Sequence, residues 1–164
     1  EFRPNRASLW HPSAVSEIRW SGPWSRSEAH AFLDASSIPM RLAANTSSGF
    51  PVVLSLWFLR DGDDLLAAVH RDSRIARRLE ADRRCAFEIA SNDPPYRGVR
   101  GQANAELLSD GAERLLRTLL TRYLGSTDSK LGAFLLSRAN EELVIRLRPR
   151  TMSSWDYTER MRDS

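Results

Sequence analysis

Cysteine is nearly absent: Cys85 is the only one in 164 residues. That excludes an intrachain disulfide and fits a reducing, cytoplasmic setting. No apolar run approaches the ~20 residues needed to span a bilayer. The opening Glu1-Phe2-Arg3-Pro4-Asn5 lacks a basic-then-apolar signal pattern, so no membrane partner is expected. A large charge of one sign is also missing, since 24 basic and 21 acidic residues leave a net charge of +3. The arginines are spread over helix faces and strand ends rather than gathered in one run. A nucleic-acid groove calls for a continuous basic stripe with interleaved aromatics, so no nucleic-acid partner is expected.

Several chemical signatures are missing as well. The three histidines, His11, His30 and His70, are far apart in sequence and Cys85 has no partner, so no metal-ligand spacing exists. Serine is plentiful, but there is no sharp glycine elbow with a histidine partner. A P-loop and a GxGxxG turn are both absent. Asp61, Asp63 and Asp64 cluster in a turn, where solvated carboxylates are the usual finding. No catalytic side chain is singled out. Cys85 alternates with Phe87 and Ile89, which reads as a small buried hydrophobe.

The length fits one domain with a real core. Residues 1–24, rich in Pro, Ser and Trp, read as an extended arm, and residues 25–164 as the domain. Ser25-Arg26-Ser27-Glu28 has capping-box spacing ahead of a short helix ending near Ser37. The period then changes to two. Met40–Thr46 reads as a strand, and Pro51–Arg60 as a second strand apolar on both faces, as if both were covered. Asp61-Gly62-Asp63-Asp64 is a hairpin turn into Leu65–His70. A short Arg-rich helix follows, then strands over Arg84–Ala90 and Tyr96–Leu107. Gly98 and Gly101 there suggest a bulge or a close approach. Leu115, Leu116, Leu119, Leu120, Tyr123 and Leu124 form the stripe of the best helix, closed by Gly125. A less regular helix is expected over Lys130–Arg138, and a last strand over Glu142–Arg148, ended by Pro149. The order predicts an α+β fold, mainly β: an antiparallel barrel of about six strands with peripheral helices.

One junction carries chemistry. At His70-Arg71-Asp72-Ser73-Arg74 an apolar strand hands over to a helix. Ser73 and the free N–H groups of a helix start can donate to a phosphate, and Arg74 can neutralise it. Arg41 stands on the first strand between small residues, a place that calls for a paired guanidinium or a ligand. The alternative is plain: Ser73 as a helix cap, Arg74 solvated and Arg41 salt-bridged.

Taken in order, Arg41-Leu42-Ala43-Ala44-Asn45-Thr46, Gly49-Phe50-Pro51-Val52-Val53, Leu56-Trp57-Phe58, Asp61–Leu65, His70–Leu79, Tyr96–Ala103 and the tail from Arg148 to Asp156 resemble one family. It is the FMN-binding split β-barrel family of pyridoxamine 5′-phosphate oxidase-like flavoproteins, over about residues 27–157. The resemblance implies a homodimer with flavin at the subunit interface. It implies that Arg41, Ser73 and Arg74 hold the flavin phosphate. It further implies that Ala43, Ala44 and Asn45 lie by the isoalloxazine ring, that Val53, Ser55, Ala68, Val69 and His70 line the pocket, and that Trp155 reaches the flavin region. Thr46 and Ile75 stand where many relatives carry a cation, with Arg97 among the residues able to compensate. The implied activity is that of an FMN-dependent oxidoreductase exchanging a hydride between flavin N5 and a small organic substrate. A deazaflavin-dependent reductase and a non-catalytic flavin- or haem-binding protein are the alternatives.

Overall fold

The computed structural model describes residues 17–162. Among them are β1 (Arg19–Ser21), α1 (Arg26–Ala35), β2 (Met40–Asn45), β3 (Pro51–Leu56), β4 (Leu59–Asp61) and β5 (Asp64–His70). Then come α2 (Arg74–Ala81), β6 (Arg84–Ala90), β7 (Arg97–Leu108), α3 (Ala112–Leu124), α4 (Lys130–Ser137) and β8 (Glu142–Asp156). The strands form one sheet in the order β3-β2-β6-β7-β8-β5-β4, with β1 parallel to β8 and the other pairs antiparallel. The sheet is not closed into a ring. Its two edges, β3 and β4, are nonetheless separated in the chain only by Trp57 and Phe58. So short a link obliges the sheet to curl until its edges nearly meet. This is the expected split barrel.

Alternation decides which side each strand shows the inside of the curl. On β2, Met40, Leu42 and Ala44 are buried, while Arg41, Ala43 and Asn45 face out. Inward residues of β5, β6, β7 and β8, among them Ala67, Phe87, Val99 and Ile145, join them in the main core. Helices α1 and α2 add Ala29, Leu33, Ile75, Ala76 and Leu79 to the same core. Helix α3 covers part of the outside instead, where Ala112, Leu115 and Leu119 pack on Leu66 and Val144. Ser25 caps α1 with the full capping box, as its spacing foretells.

Four expectations need correction. The count of strands is eight, not about six, among the described residues. One extra strand arises because the expected Pro51–Arg60 strand breaks at Trp57-Phe58, where the chain crosses from one sheet edge to the other. The other is β1, within the part read as an arm; Trp24 also donates from its backbone N–H to Ser154 Oγ (3.0 Å) and from its indole to Asp156 (3.2 Å). Residues 1–16 of that arm lie outside the described residues. Thirdly, Pro149 does not end the last strand, which runs on to Asp156. The register steps from Gln102–Thr151 to Ala103–Pro149, so Arg150 bulges out and a residue without an N–H is accommodated. Finally, β3 is not covered on both faces within one chain: Val53 is 62% exposed and Phe50, just before the strand, 76%.

Cys85 is buried, and burial pushes its thiol up to about 12, with Asp82 adding to the effect. It is packing material and not a nucleophile.

Charge is buried at the β4–β5 hairpin. Arg146, 5% exposed, lies 3.7 Å from Asp64. Burial raises the Asp64 carboxyl to about 6 against the opposing pull of Arg146 and Arg148. The folded chain therefore holds this proton more tightly than the unfolded chain. Stability from this group is full below the unfolded value and declines as pH rises through about 6. Asp64→Asn should flatten that part of the stability profile. Denaturant titrations between pH 4 and 7 check this, and identical slopes in the two proteins would contradict it.

Candidate functional site

The outward residues of five neighbouring strands fall into rows, because antiparallel partners opposite one another share a face. In one row Ser55 on β3 is opposite Arg41 on β2, Arg41 is opposite Glu88 on β6, Glu88 opposite Arg100 on β7, and Arg100 opposite Ser153 on β8. The next row is Val53, Ala43, Ala86, Gln102 and Thr151. Where large charged side chains border small ones, a groove opens. It has a volume of about 470 Å³ and is lined by both rows apart from Ser55. A second groove of about 460 Å³ shares Ala43, Ala86 and Gln102 with the first and continues towards Asn45, Arg84 and Arg150.

The charged row is partly satisfied within itself. Arg41 donates to Asn92 Oδ1 at 2.8 Å and lies 3.5 Å from Glu88. The Arg100 guanidinium sits 5.2 Å from the centre of the Trp155 ring, within cation–π range. Trp155 in turn fills the space that Gly98 leaves: a Cβ there would come within 2.8 Å of two ring carbons. The glycine thus serves a close approach by two groups, the Ile89 carbonyl oxygen, 2.5 Å from where a Cβ would stand, and Trp155.

A second constellation lies at the β5–α2 junction. Asp72 donates its N–H to His70 Nδ1 (3.1 Å), and His70 Nε2 lies 2.9 Å from the Glu141 carboxylate and 3.0 Å from the Arg138 guanidinium. Arg138 also holds Glu141 (2.7 Å), and Arg71 donates to the Asn140 carbonyl. The loop before β8 is thereby clamped onto the junction. Ser73 caps α2, accepting from the Ala76 N–H at 3.2 Å, and its hydroxyl proton is left to donate elsewhere. Arg74 is exposed at the first helical position.

The structure brings some of the expected site residues together and keeps others apart. Arg41, Ala43 and Val53 line one groove, with Ser55 in the same row. Trp155 borders it. Asn45 lines the second groove and donates to Asp82 (3.2 Å) at the end of α2. Ala44 is buried in the core and also lines the second groove, and Thr46 donates to the Phe50 carbonyl (2.6 Å) to close the β2–β3 turn. Arg97 starts β7 opposite Asp156, whose carboxyl is held low chiefly by Thr158, with Arg97 a lesser influence. His70, Ser73 and Arg74 stand at the junction, and neither groove includes them. Val69 is buried in the core, and Ala68 packs beside α3. Arg41 is thus grouped with the residues expected beside a flavin ring, not with Ser73 and Arg74.

Sequence reading missed Ala86, Glu88, Arg100, Gln102, Thr151 and Ser153. The alternation of β6, β7 and β8 marks each of them as outward. What it lacks is the pairing that sets them beside Arg41.

The residues present fit a flavin in their chemistry. A floor of Ala43 and Ala86 leaves room for a flat apolar ring, and hydrogen-bonding side chains border it. The junction offers a helix start and an exposed arginine of the kind that suits a phosphate.

The sequence model described as pyridoxamine 5′-phosphate oxidase matches residues 26–156. Among solved structures, a conserved hypothetical protein from Mycobacterium tuberculosis is 22% identical, with TM-score 0.72 over 87% of this chain and 91% of that one. A structure named F420 reductase is 22% identical, with TM-score 0.65 over 76% and 94%. An FAD-binding protein from Mesorhizobium loti is 17% identical, with TM-score 0.59 over 80% and 93%. At these identities the likeness is one of fold. No curated protein matches the chain.

Gly98→Ala should crowd both the Ile89 carbonyl and the Trp155 ring and lower stability by roughly 1–3 kcal/mol. Denaturant unfolding measures the loss. A variant as stable as the parent would show that Trp155 does not depend on the missing Cβ.

Proposed function

We propose, from the premise that this chain belongs to the pyridoxamine 5′-phosphate oxidase family, that it is an FMN-dependent oxidoreductase acting on a small organic molecule. The observation that carries the reading is the small-floored groove uniting Arg41, Ala43 and Val53 on the outer sheet face. Bound flavin would supply hydride exchange at N5, with the protein contributing binding, orientation and local charge. In this reading Ala43, Ala86 and Val53 flank the ring and exclude water from it. Ser73, Arg74 and the start of α2 hold the phosphate. Trp155, braced by Gly98 and Arg100, bounds the groove.

The active form in this proposal is a homodimer. Two features support it. Neither of the two grooves described above joins the ring-side residues to Ser73 and Arg74. Val53 and Phe50, 62% and 76% exposed, leave apolar surface beside the groove that a second copy would cover.

A deazaflavin is the second reading. The fold it shares with a structure named F420 reductase favours it. Both cofactors present the same flat ring system to the groove. As for location, among the described residues no helix is long and apolar enough to cross a membrane.

Purified protein mixed with FMN should develop a protein-bound flavin spectrum that survives gel filtration. Arg74→Ala should weaken FMN by about tenfold or more while leaving riboflavin almost unchanged, because only FMN carries the phosphate. Equal loss for both would remove Arg74 from the phosphate site. Uptake of deazaflavin with none of FMN would replace the cofactor.

A further inference from the structure

Three side chains in one row are set out as donor, acceptor and donor. Arg41, Glu88 and Arg100 are consecutive cross-strand neighbours on β2, β6 and β7, all on the outer face and all lining the groove of about 470 Å³. Adjacent strands lie about 4.8 Å apart, so three such side chains reach the same stretch of groove. A guanidinium only donates hydrogen bonds, and an ionised carboxylate only accepts them.

The pairing inside the row leaves capacity over. Arg41 and Glu88 are 3.5 Å apart, at the long end for an ion pair, and the shorter bond of Arg41 goes to Asn92. Among the described residues Glu88 pairs with Arg41 alone. The Arg100 guanidinium lies 5.2 Å from the centre of the Trp155 ring, and among the described residues no hydrogen bond or ion pair occupies its N–H groups. Beside the row the groove floor is Ala43 and Ala86, which offer no polar atom of their own side chains. A flat ring lying on Ala43 and Ala86 therefore meets the charged row along one edge, while the floor row itself turns polar only further on, at Gln102 and Thr151.

We infer that Glu88, between Arg41 and Arg100, reads the pyrimidine edge of the bound ring, taking the N3–H while the two arginines serve the flanking carbonyls. The flavin edge offers carbonyl, N–H, carbonyl: acceptor, donor, acceptor. That is the complement of the row in the same order. The inference rests on the flavin reading above, and it applies equally to a 5-deazaflavin, which keeps this edge. It also gives Arg41 a role at the ring in place of the phosphate.

Ring recognition can be tested apart from the phosphate by using riboflavin, 5-deazariboflavin and 3-methylriboflavin as probes, with the intact protein and a fluorescence titration. The wild type should bind riboflavin and 5-deazariboflavin at least about tenfold more tightly than the 3-methyl analogue, because a bond to a charged acceptor is lost. Glu88→Ala should bind riboflavin and its 3-methyl analogue alike. Arg100→Ala should weaken both and keep their ratio. Binding of riboflavin with no preference over the 3-methyl compound in the wild type overturns the inference and leaves the flavin reading standing. So does a preference that survives Glu88→Ala. If neither FMN nor riboflavin binds, the flavin reading falls and takes the inference with it.

Discussion

The two-residue crossing at Trp57-Phe58 is the constraint on which the architecture depends. Both edge strands of the sheet must approach within the reach of that link, so the sheet acquires an inside and an outside. The crossing is well secured. Phe58 is fully buried, its N–H donates to the Tyr123 hydroxyl at 3.2 Å, and the Tyr123 ring stacks on Trp57 at 5.1 Å. The Arg122 guanidinium lies 5.4 Å from the Phe58 ring while donating to the Leu33 and Ser36 carbonyls. One knot thus joins the end of α1, the end of α3 and the strand crossing. Once the curl exists, alternation assigns every second residue to the core and every other to the outer face.

That division explains how much could be read from the sequence. Local rules carried far: the capping box at Ser25, the Asp61–Asp64 turn, the stripe of α3 and the alternation of β2 and β6 all depend on neighbours a few residues away. Arg41 was conspicuous for the same reason, being a cation among small strand residues. Its partners Asn92 and Glu88 are 51 and 47 positions away, and register between distant strands is not written in local pattern. Non-local pairing is likewise why Glu88 and Arg100 went unnoticed and why Pro149 looked like a terminus. In isolation a proline ends a strand. Beside a bulge it continues one.

The polar residues around the proposed phosphate grip illustrate a division between holding the fold and meeting a ligand. Asn45 and Thr46 are engaged in tying β2 to α2 and in closing a turn. His70 fixes a loop through Glu141. Arg74, by contrast, extends from the first turn of α2 into solvent. A cation so placed keeps its side-chain entropy until something anionic arrives, and its binding energy is then set largely by charge and by salt. The outer groove differs, because strand backbone fixes the spacing of its side chains before any ligand enters.

The lone thiol has a practical side. Cys85 is buried on β6 with its thiol beside the Ala103 carbonyl of β7, and burial pushes that thiol up to about 12. The folded protein therefore presents almost no thiolate background at neutral pH. A cysteine introduced at any exposed position would react alone. Spin labels, fluorophores or crosslinkers could be attached to the outer face, one strand at a time, without first rebuilding the core.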